Sequence, residues 1–194
     1  MKRLMERLTL TTKEHDGTWF GVLSNERSQL LASSFSKSRE NLERHLLAED
    51  RGTTRSGFPA QAGDALDQMI NLYEGKKTTK AVRLDWRSVS EFQKNVCQRM
   101  KEIPWGRVTS YGMIAKRISS GPRAVGTAVA RNPWPLFIPC HRVVPANLEI
   151  GNYSIGGALS DYGCAIKRDL LEREGVTIEG DKIALNALWV PTGA

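Results

Sequence analysis

Pro139-Cys140-His141-Arg142-Val143, within the run from Ile138 to Pro145, sets a thiol against an imidazole. A thiol is a useful nucleophile as its thiolate, and a neighbouring imidazole or cation lowers the cost of forming it. The plain alternative is a buried cysteine in a strand with a histidine beside it by chance. The chain has three cysteines, Cys97, Cys140 and Cys164, and no C-x-x-C spacing. That spacing disfavours a cysteine-built zinc site, and an odd count disfavours a disulfide framework. His15 and His45 lack ligand-like spacing and read as surface residues, so no metal site is expected. The glycine-rich stretch Gly151-Asn152-Tyr153-Ser154-Ile155-Gly156-Gly157 lacks the lysine and spacing of a phosphate loop. No cofactor is expected.

Charge adds a second clue. Between Arg87 and Arg142 ten Lys and Arg face only Glu91 and Glu102, although the whole chain carries a net +7. From Val143 onward the chain is net acidic. A local cationic block attracts polyanions, and phosphate neutralisation dominates affinity for nucleic acid. A solvated helix face would show the same charges. At 194 residues, 40% hydrophobic and 25% charged, the composition is that of a globular protein. No apolar run reaches the ~20 residues of a membrane helix, and the charged start Met1-Lys2-Arg3 lacks an apolar signal core. The expected location is cytoplasmic, or nuclear in a eukaryote.

The elements that must position the Cys-His pair begin near Asp85. Ser88 and Glu91 fit a capping box, which predicts a helix from Ser88 to about Glu102. Phe92, Val96, Met100 and Ile103 form its apolar stripe, with Cys97 beside it. Pro104 and Gly106 end it. A helix over Ser110 to Ile118, a Ser119-Ser120-Gly121-Pro122 turn and a helix over Arg123 to Ala130 make a helix-turn-helix pattern. In the second of these, Val125 and Val129 point inward, while Ala124, Gly126, Thr127 and Ala128 are small. Small side chains suit insertion into a groove, and equally suit close packing in a core. Leu136 to Ile138 reads as a strand leading into Cys140. A helix is predicted from Cys164 to Glu174, stopped by Gly175, with Val176–Ile178 and Ile183–Leu185 pairing afterwards.

The first half reads as a smaller α/β unit. Strands are predicted over Leu8–Thr12, Thr18–Leu23 and Gln29–Ala32, with a turn at Asp16-Gly17. Helices are predicted over Arg39–Glu49 and Ala65–Glu74, a loop over Arg51–Pro59, and a short strand over Ala81–Leu84. The expected division is residues 1–84 as an N-terminal support domain and 85–194 as the domain carrying the chemistry.

Taken in order, the second-half motifs resemble the O6-alkylguanine-DNA alkyltransferases, the methylated-DNA–protein-cysteine methyltransferases. They are Ser110-Tyr111-Gly112, Pro122-Arg123-Ala124-Val125-Gly126, Arg131-Asn132-Pro133, Ile138-Pro139-Cys140-His141-Arg142-Val143-Val144, Gly151-Asn152-Tyr153-Ser154, and Leu170 to Gly175. The resemblance covers about Asp85 to Val176. It implies a two-domain α/β fold, with a ribonuclease H-like first domain and a mostly helical second domain holding a helix-turn-helix. It implies direct, single-turnover repair of O6-alkylguanine, and of O4-alkylthymine, in double-stranded DNA. The alkyl group passes to Cys140 after base flipping, and the protein acts as a monomer.

The resemblance also assigns roles. Glu174 orients His141, which deprotonates Cys140 through a water. Tyr111 donates to the guanine ring as it leaves. The carbonyls of Cys140 and Val143 accept from the base amine, Ser154 donates near O6, and Gly151, Tyr153 and Ile155 complete the substrate site. Asn132 is a hinge between the recognition helix and the active-site turn. Arg123 fills the space of the flipped base. Together with Tyr111, Ala124 and Thr127 it binds DNA, mainly in the minor groove and with little sequence preference. Ile155 stands where many relatives have glycine, which implies a narrowed alkyl pocket.

Three other readings compete. A non-enzymatic lesion sensor of the same lineage would lack the acceptor cysteine. A helix-turn-helix regulator calls for base-reading side chains along Arg123 to Ala130. A hydrolase using Cys140, His141 and Glu174 leaves the cationic block unexplained.

Overall fold

A computed structural model describes residues 7–48, 60–155, 158–159 and 161–191, with no side chains described at 60–61, 155, 158–159 and 161–162. The expected loop over Arg51–Pro59 and the Gly156-Gly157 pair lie outside these residues.

Asp16 and Gly17 take φ of 47° and 68°, the left-handed pair that a two-residue hairpin requires. They join β1 (Leu8–His15) to β2 (Thr18–Asn25), and β3 (Leu30–Ser36) completes an antiparallel meander in the order β1-β2-β3. The side-chain period of two gives central β2 two buried faces. Phe20 and Val22 point to one side, into the cluster that includes Leu66 and Met69 of α2 (Ala60–Tyr73). Leu23 points to the other, with Leu42 and Leu46 of α1 (Arg39–Ala48). At Gly21 a Cβ would lie 2.7 Å from Leu46 Cδ1, so glycine there lets α1 settle on the sheet.

The second half is mostly helical. It comprises α3 (Glu91–Lys101), β4 (Thr109–Ser110), α4 (Tyr111–Arg117), α5 (Pro122–Ala130), β5 (Val143–Val144), β6 (Ser154–Ile155), β7 (Ala158–Leu159), α6 (Asp161–Arg173), β8 (Ile178–Glu179) and β9 (Lys182–Ile183). One apolar core runs from Phe20 and Leu30 through Met69 to Val96, Val125, Trp134 and Leu170, across both halves of the chain. Trp134 Nε1 donates to the Leu30 carbonyl at 2.8 Å, and Ser33 N donates to the Pro133 carbonyl at 2.8 Å. These bonds fix the segment before Cys140 to the edge of the sheet. Among the described residues no helix is long and apolar enough to cross a membrane.

Several expectations need correction. Ser90, not Ser88, caps α3: its Oγ accepts from Gln93 N, while Ser88 ends a short 3-10 turn over Trp86–Ser88. Phe92 is 39% exposed, so the α3 stripe consists of Val96, Cys97, Met100 and Ile103. Helix α2 begins at Ala60 and α6 at Asp161, both earlier than expected. Leu136 to Ile138 is a turn, because Leu136 takes φ of 73° and Ile138 N returns to the Trp134 carbonyl. Ala81–Leu84 contributes only a bridge from Leu84 to Leu30. Strands β8 and β9 pair over two residues each, Ile178 opposite Ile183.

Candidate active site around Cys140

Cys140 opens a 3-10 turn over Cys140–Arg142, and β5 leaves that turn directly. Strand β5 runs parallel to β4, with Thr109 beside Val143 and Ser110 beside Val144. Ser110 then caps α4, its Oγ accepting from Met113 N at 3.1 Å. Two residues of pairing thus bring Tyr111, the first residue of α4, to the cysteine turn. From the other side comes Asn132, two residues after α5. Its Nδ2 donates to the Ile138 carbonyl at 2.8 Å and its Oδ1 accepts from Trp134 N at 3.1 Å. Asn132 therefore ties the end of α5 to the strap that carries Cys140.

The Cys140 thiol is 4% exposed and lies 3.6 Å from the Tyr153 hydroxyl. Burial pushes it up from the ordinary thiol range, while Asn132, Tyr153 and the charge of Lys167 pull the other way. Tyr111 is raised to about 12, chiefly by burial. A cavity of about 170 Å³ lies against Cys140, with Tyr111, Gly126, Val129, Tyr153 and Ser154 in its wall.

His141 Nε2 lies 2.8 Å from Glu174 Oε1, and both side chains are buried. Burial lowers the His141 pKa against the pull of Glu174, so the ring is neutral near pH 7. Burial alone would raise Glu174, but its bonds to His141 and Arg142 and their charges bring it down to about 2. With His141 neutral, the lasting counter-charge is Arg142. Its Nε donates to Oε2 at 2.7 Å and its Nη2 to Oε1 at 2.8 Å. A bidentate, charge-assisted pair of this kind fixes the carboxylate in direction as well as charge. The proton on neutral His141 therefore sits on Nε2, facing the carboxylate. That leaves Nδ1 as an acceptor, buried and without a hydrogen-bond partner among the described residues.

The remaining expected residues fall in two groups. Val143 directly follows the Cys140 turn, and Tyr153 and Ser154 line the cavity against Cys140; Ile155 follows in β6, its side chain outside the described residues. The Val143 carbonyl already accepts from Lys167 Nζ at 2.7 Å, and the Cys140 carbonyl accepts from Val143 N. Gly151 takes φ of 69°, and a Cβ there would sit 2.9 Å from the Pro145 ring. Arg123, Ala124 and Thr127 share the exposed face of α5, opposite buried Val125, Ala128 and Val129.

Sequence reasoning assigned no role to Arg142 or Lys167. Lys167 is 1% exposed, and burial lowers its pKa to about 8. The signal was its position: it lies seven residues before Glu174, on the α6 face that also holds Leu170 and Leu171. Of the two histidines expected at the surface, His15 is only half-exposed and sits 2.5 Å from Glu74 Oε1. Asp16 brings a third ligand-type atom near them, but Lys76 Nζ lies 2.5 Å from the other Glu74 oxygen, making the group a charge network.

Fold and site together define a protein with a buried thiol, a buried histidine–carboxylate pair next to it in the chain, and an exposed small-residue helix beside it. The profile of the 6-O-methylguanine DNA methyltransferase DNA-binding domain matches residues 91–176. The methylated-DNA–protein-cysteine methyltransferase of Archaeoglobus fulgidus is 38% identical over 125 residues, covering 64% of this chain and 82% of that protein. The Thermococcus kodakarensis protein of the same name is 35% identical over 164 residues, covering 81% and 89%, so the likeness extends into the first half. Among solved structures, the O6-methylguanine-DNA methyltransferase of Pyrococcus kodakaraensis superposes with a TM-score of 0.65 at 28% identity, covering 87% of this chain and 99% of that one. Mycobacterium tuberculosis OGT in complex with DNA gives 0.65 at 29% identity, covering 87% and 92%. The chain belongs to the methylated-DNA–protein-cysteine methyltransferase family.

Proposed function

We propose that this protein reverses O6-alkylguanine damage in DNA by moving the alkyl group to Cys140, once per molecule. The observation that carries the reading is the buried His141–Glu174 pair directly after Cys140, whose thiol lies against a cavity walled by Tyr111 and Tyr153. The neutral imidazole takes the thiol proton on Nδ1, through a water. An unpartnered buried acceptor favours such a bridge, since buried polar atoms need partners. The imidazolium that forms is held by Glu174. The Cys140 thiolate attacks the alkyl carbon, an S–C bond forms, and the C–O6 bond breaks with its electron pair left on guanine. Tyr111, raised to about 12, keeps its proton at neutral pH and donates to the ring as negative charge develops there. The thioether has no hydrolytic exit, so turnover stops.

Roles follow for the other residues. The second lone pairs of the Cys140 and Val143 carbonyls accept from the base amine, and Ser154 donates near O6. Gly151 and Tyr153 shape the floor of the site. Asn132 is the hinge between α5 and the cysteine strap. Helices α4 and α5 act as a helix-turn-helix, with α5 in the minor groove of double-stranded DNA and Arg123, Ala124, Thr127 and Tyr111 along the path of the flipped base. Residues 1–84 act as a ribonuclease H-like support domain for residues 85–194. O4-alkylthymine is a second substrate, and the protein works as a monomer. Ile155 narrows the alkyl site, so Ile155→Gly raises the rate for benzyl relative to methyl; an unchanged ratio removes that role.

The test uses a duplex carrying radiolabelled O6-methylguanine. Label is expected on the protein at one per molecule and lost in Cys140→Ala. Repeated turnover, or label on another residue, overturns the reading.

A further inference from the structure

The exposed face of α5 does not end with the helix. Thr127 Oγ1 donates to the Arg123 carbonyl at 3.2 Å, and Arg131 N donates to the Thr127 carbonyl at 3.2 Å. The line Arg123, Thr127, Arg131 thus continues one step past Ala130, and all three residues are exposed. From Arg99 to the end of the described residues, arginine side chains are otherwise occupied. Arg99 and Arg117 hold Glu102, Arg107 holds the Asn186 carbonyl, and Arg142 holds Glu174. Arg168 holds Asp181 and Arg173 holds the Tyr73 carbonyl. Among the described residues of this stretch only Arg123 and Arg131 have guanidinium groups with no protein partner.

A free guanidinium is five donors in a planar fork that fits phosphate oxygens. Eight residues of helix advance about 12 Å, or three to four steps along a DNA strand at 3.4 Å each. With both side chains extended straight out from that line, Arg123 and Arg131 therefore reach different nucleotides. Arg131 also lies in the wall of a larger groove of about 720 Å³, between α5 and β3, which Cys140, Asn132 and Ser154 line as well. The rest of that wall mixes polar side chains, Gln93, Ser33 and Ser90 among them, with apolar Leu31, Val89 and Pro135.

We propose that Arg131 binds a backbone phosphate of the damaged strand, three to four nucleotides from the step that Arg123 occupies, and so sets the register in which the lesion meets Cys140. The proposal rests on the reading of α5 as the helix that enters the duplex. It assigns Arg131 no chemistry at the alkyl carbon; it is a positioning residue. A simpler role exists for it, as a cation at the negative end of the α5 dipole. The two differ in what a substitution changes.

Duplex binding is measured across a salt series for the wild type, Arg131→Gln, Arg131→Lys and, as a control, Arg44→Gln on α1. Loss of one phosphate contact makes the slope of log K against log salt less negative by about 0.9 and weakens binding roughly 3- to 10-fold. Arg131→Lys keeps the slope and Arg44→Gln matches the wild type. Methyl transfer from duplex falls in Arg131→Gln at sub-saturating DNA, whereas reaction of Cys140 with free O6-benzylguanine, which has no phosphate, is unchanged. A wild-type slope in Arg131→Gln overturns the proposal, including when its melting temperature drops, since that is the helix-dipole outcome. Wild-type methyl transfer alongside that result leaves the repair reading standing. If the wild type takes no methyl, the repair reading falls, and the salt slope still decides whether Arg131 holds phosphate.

Discussion

His141 and Arg142, adjacent in sequence, reach the same oxygen of Glu174, each at 2.8 Å. The division of labour follows from their chemistry. Arg142 stays charged and neutralises the carboxylate permanently; His141 stays neutral, which in the proposed relay lets it take a proton for the moment of thiolate formation. Glu174→Gln breaks both functions. It leaves a buried guanidinium without its counter-charge, at a cost of about 3–5 kcal/mol. In the proposed relay it also removes the charge that stabilises a transient imidazolium. The expected result is a lower denaturation midpoint and methyl transfer slowed on the order of 100-fold, measured by single-turnover quench at a temperature where the variant is folded. A folded variant with the wild-type rate excludes His141–Glu174 as the relay.

The same triad sets an acid limit on stability. Glu174 falls to about 2 in the folded protein from an ordinary 4.5, so the folded state binds fewer protons than the unfolded chain between those values. Its contribution is full above pH 4.5 and lost as pH falls towards 2, and is on the order of 3 kcal/mol. His141 is also lowered, from 6.5, and contributes with the same sign starting at a higher pH. Denaturation midpoints are expected to decline in two stages, one beginning near pH 6.5 and one near 4.5. In Glu174→Gln the second stage shrinks. A second stage of wild-type size in that variant assigns the effect to other carboxylates.

How much of this was legible in the sequence depended on whether a residue's role is local. Cys140, His141, Asn132 and Tyr111 lie in short motifs whose order identifies them, and the structure gathers them around one turn. Glu174 was legible through the Leu170 to Gly175 run. Arg142 was not, and Lys167 only by its place on the α6 face of Leu170 and Leu171, because a cation's burial depends on packing from distant elements. Trp105 covers Arg142 and the Val143 carbonyl holds Lys167. The cap of α3 failed for a smaller reason. Ser88–Glu91 and Ser90–Gln93 both fit the capping pattern, and the 3-10 turn at Trp86–Ser88 uses up the first. Leu136 to Ile138 looked like a strand by its apolar content, yet it lies just after Pro133 and Pro135 and folds back as a turn.

Lys167 gives a prediction in which stability and rate move apart. Its charge lowers the Cys140 pKa, and its Nζ fixes the Val143 carbonyl. Its own burial is costly, with the pKa brought down to about 8, so the folded state gains stability as pH rises from there towards 10.5. Lys167→Met keeps length and removes the charge. Its melting temperature at pH 7 is expected to equal or exceed the wild type, while alkylation of Cys140 by iodoacetamide shifts to higher pH and methyl transfer slows roughly 10-fold. Cys97, raised to about 12 by burial, will not contribute to that alkylation, and exposed Cys164 is replaced by Ser for the measurement. If the pH profile of Cys140 does not move, Lys167 is only a structural support for Val143.

Gly75 tests whether the first half reaches the chemistry. It follows Tyr73 at the end of α2 with φ of 76°, and a Cβ there would lie 2.5 Å from the Arg173 carbonyl, one residue before Glu174. Arg173 in turn donates to the Tyr73 carbonyl at 2.8 Å and stacks on its ring. The end of α2 is therefore a stop against which the end of α6 rests. Gly75→Ala adds both left-handed strain and a backbone clash, and neither yields without displacing α6. The expected cost is about 2 kcal/mol or more. The informative readout is the rate at a temperature where the variant is fully folded. If the first half positions Glu174, methyl transfer slows several-fold and the pH dependence of Cys140 alkylation changes with it. Lower stability with both readouts unchanged shows that the first half supports folding alone.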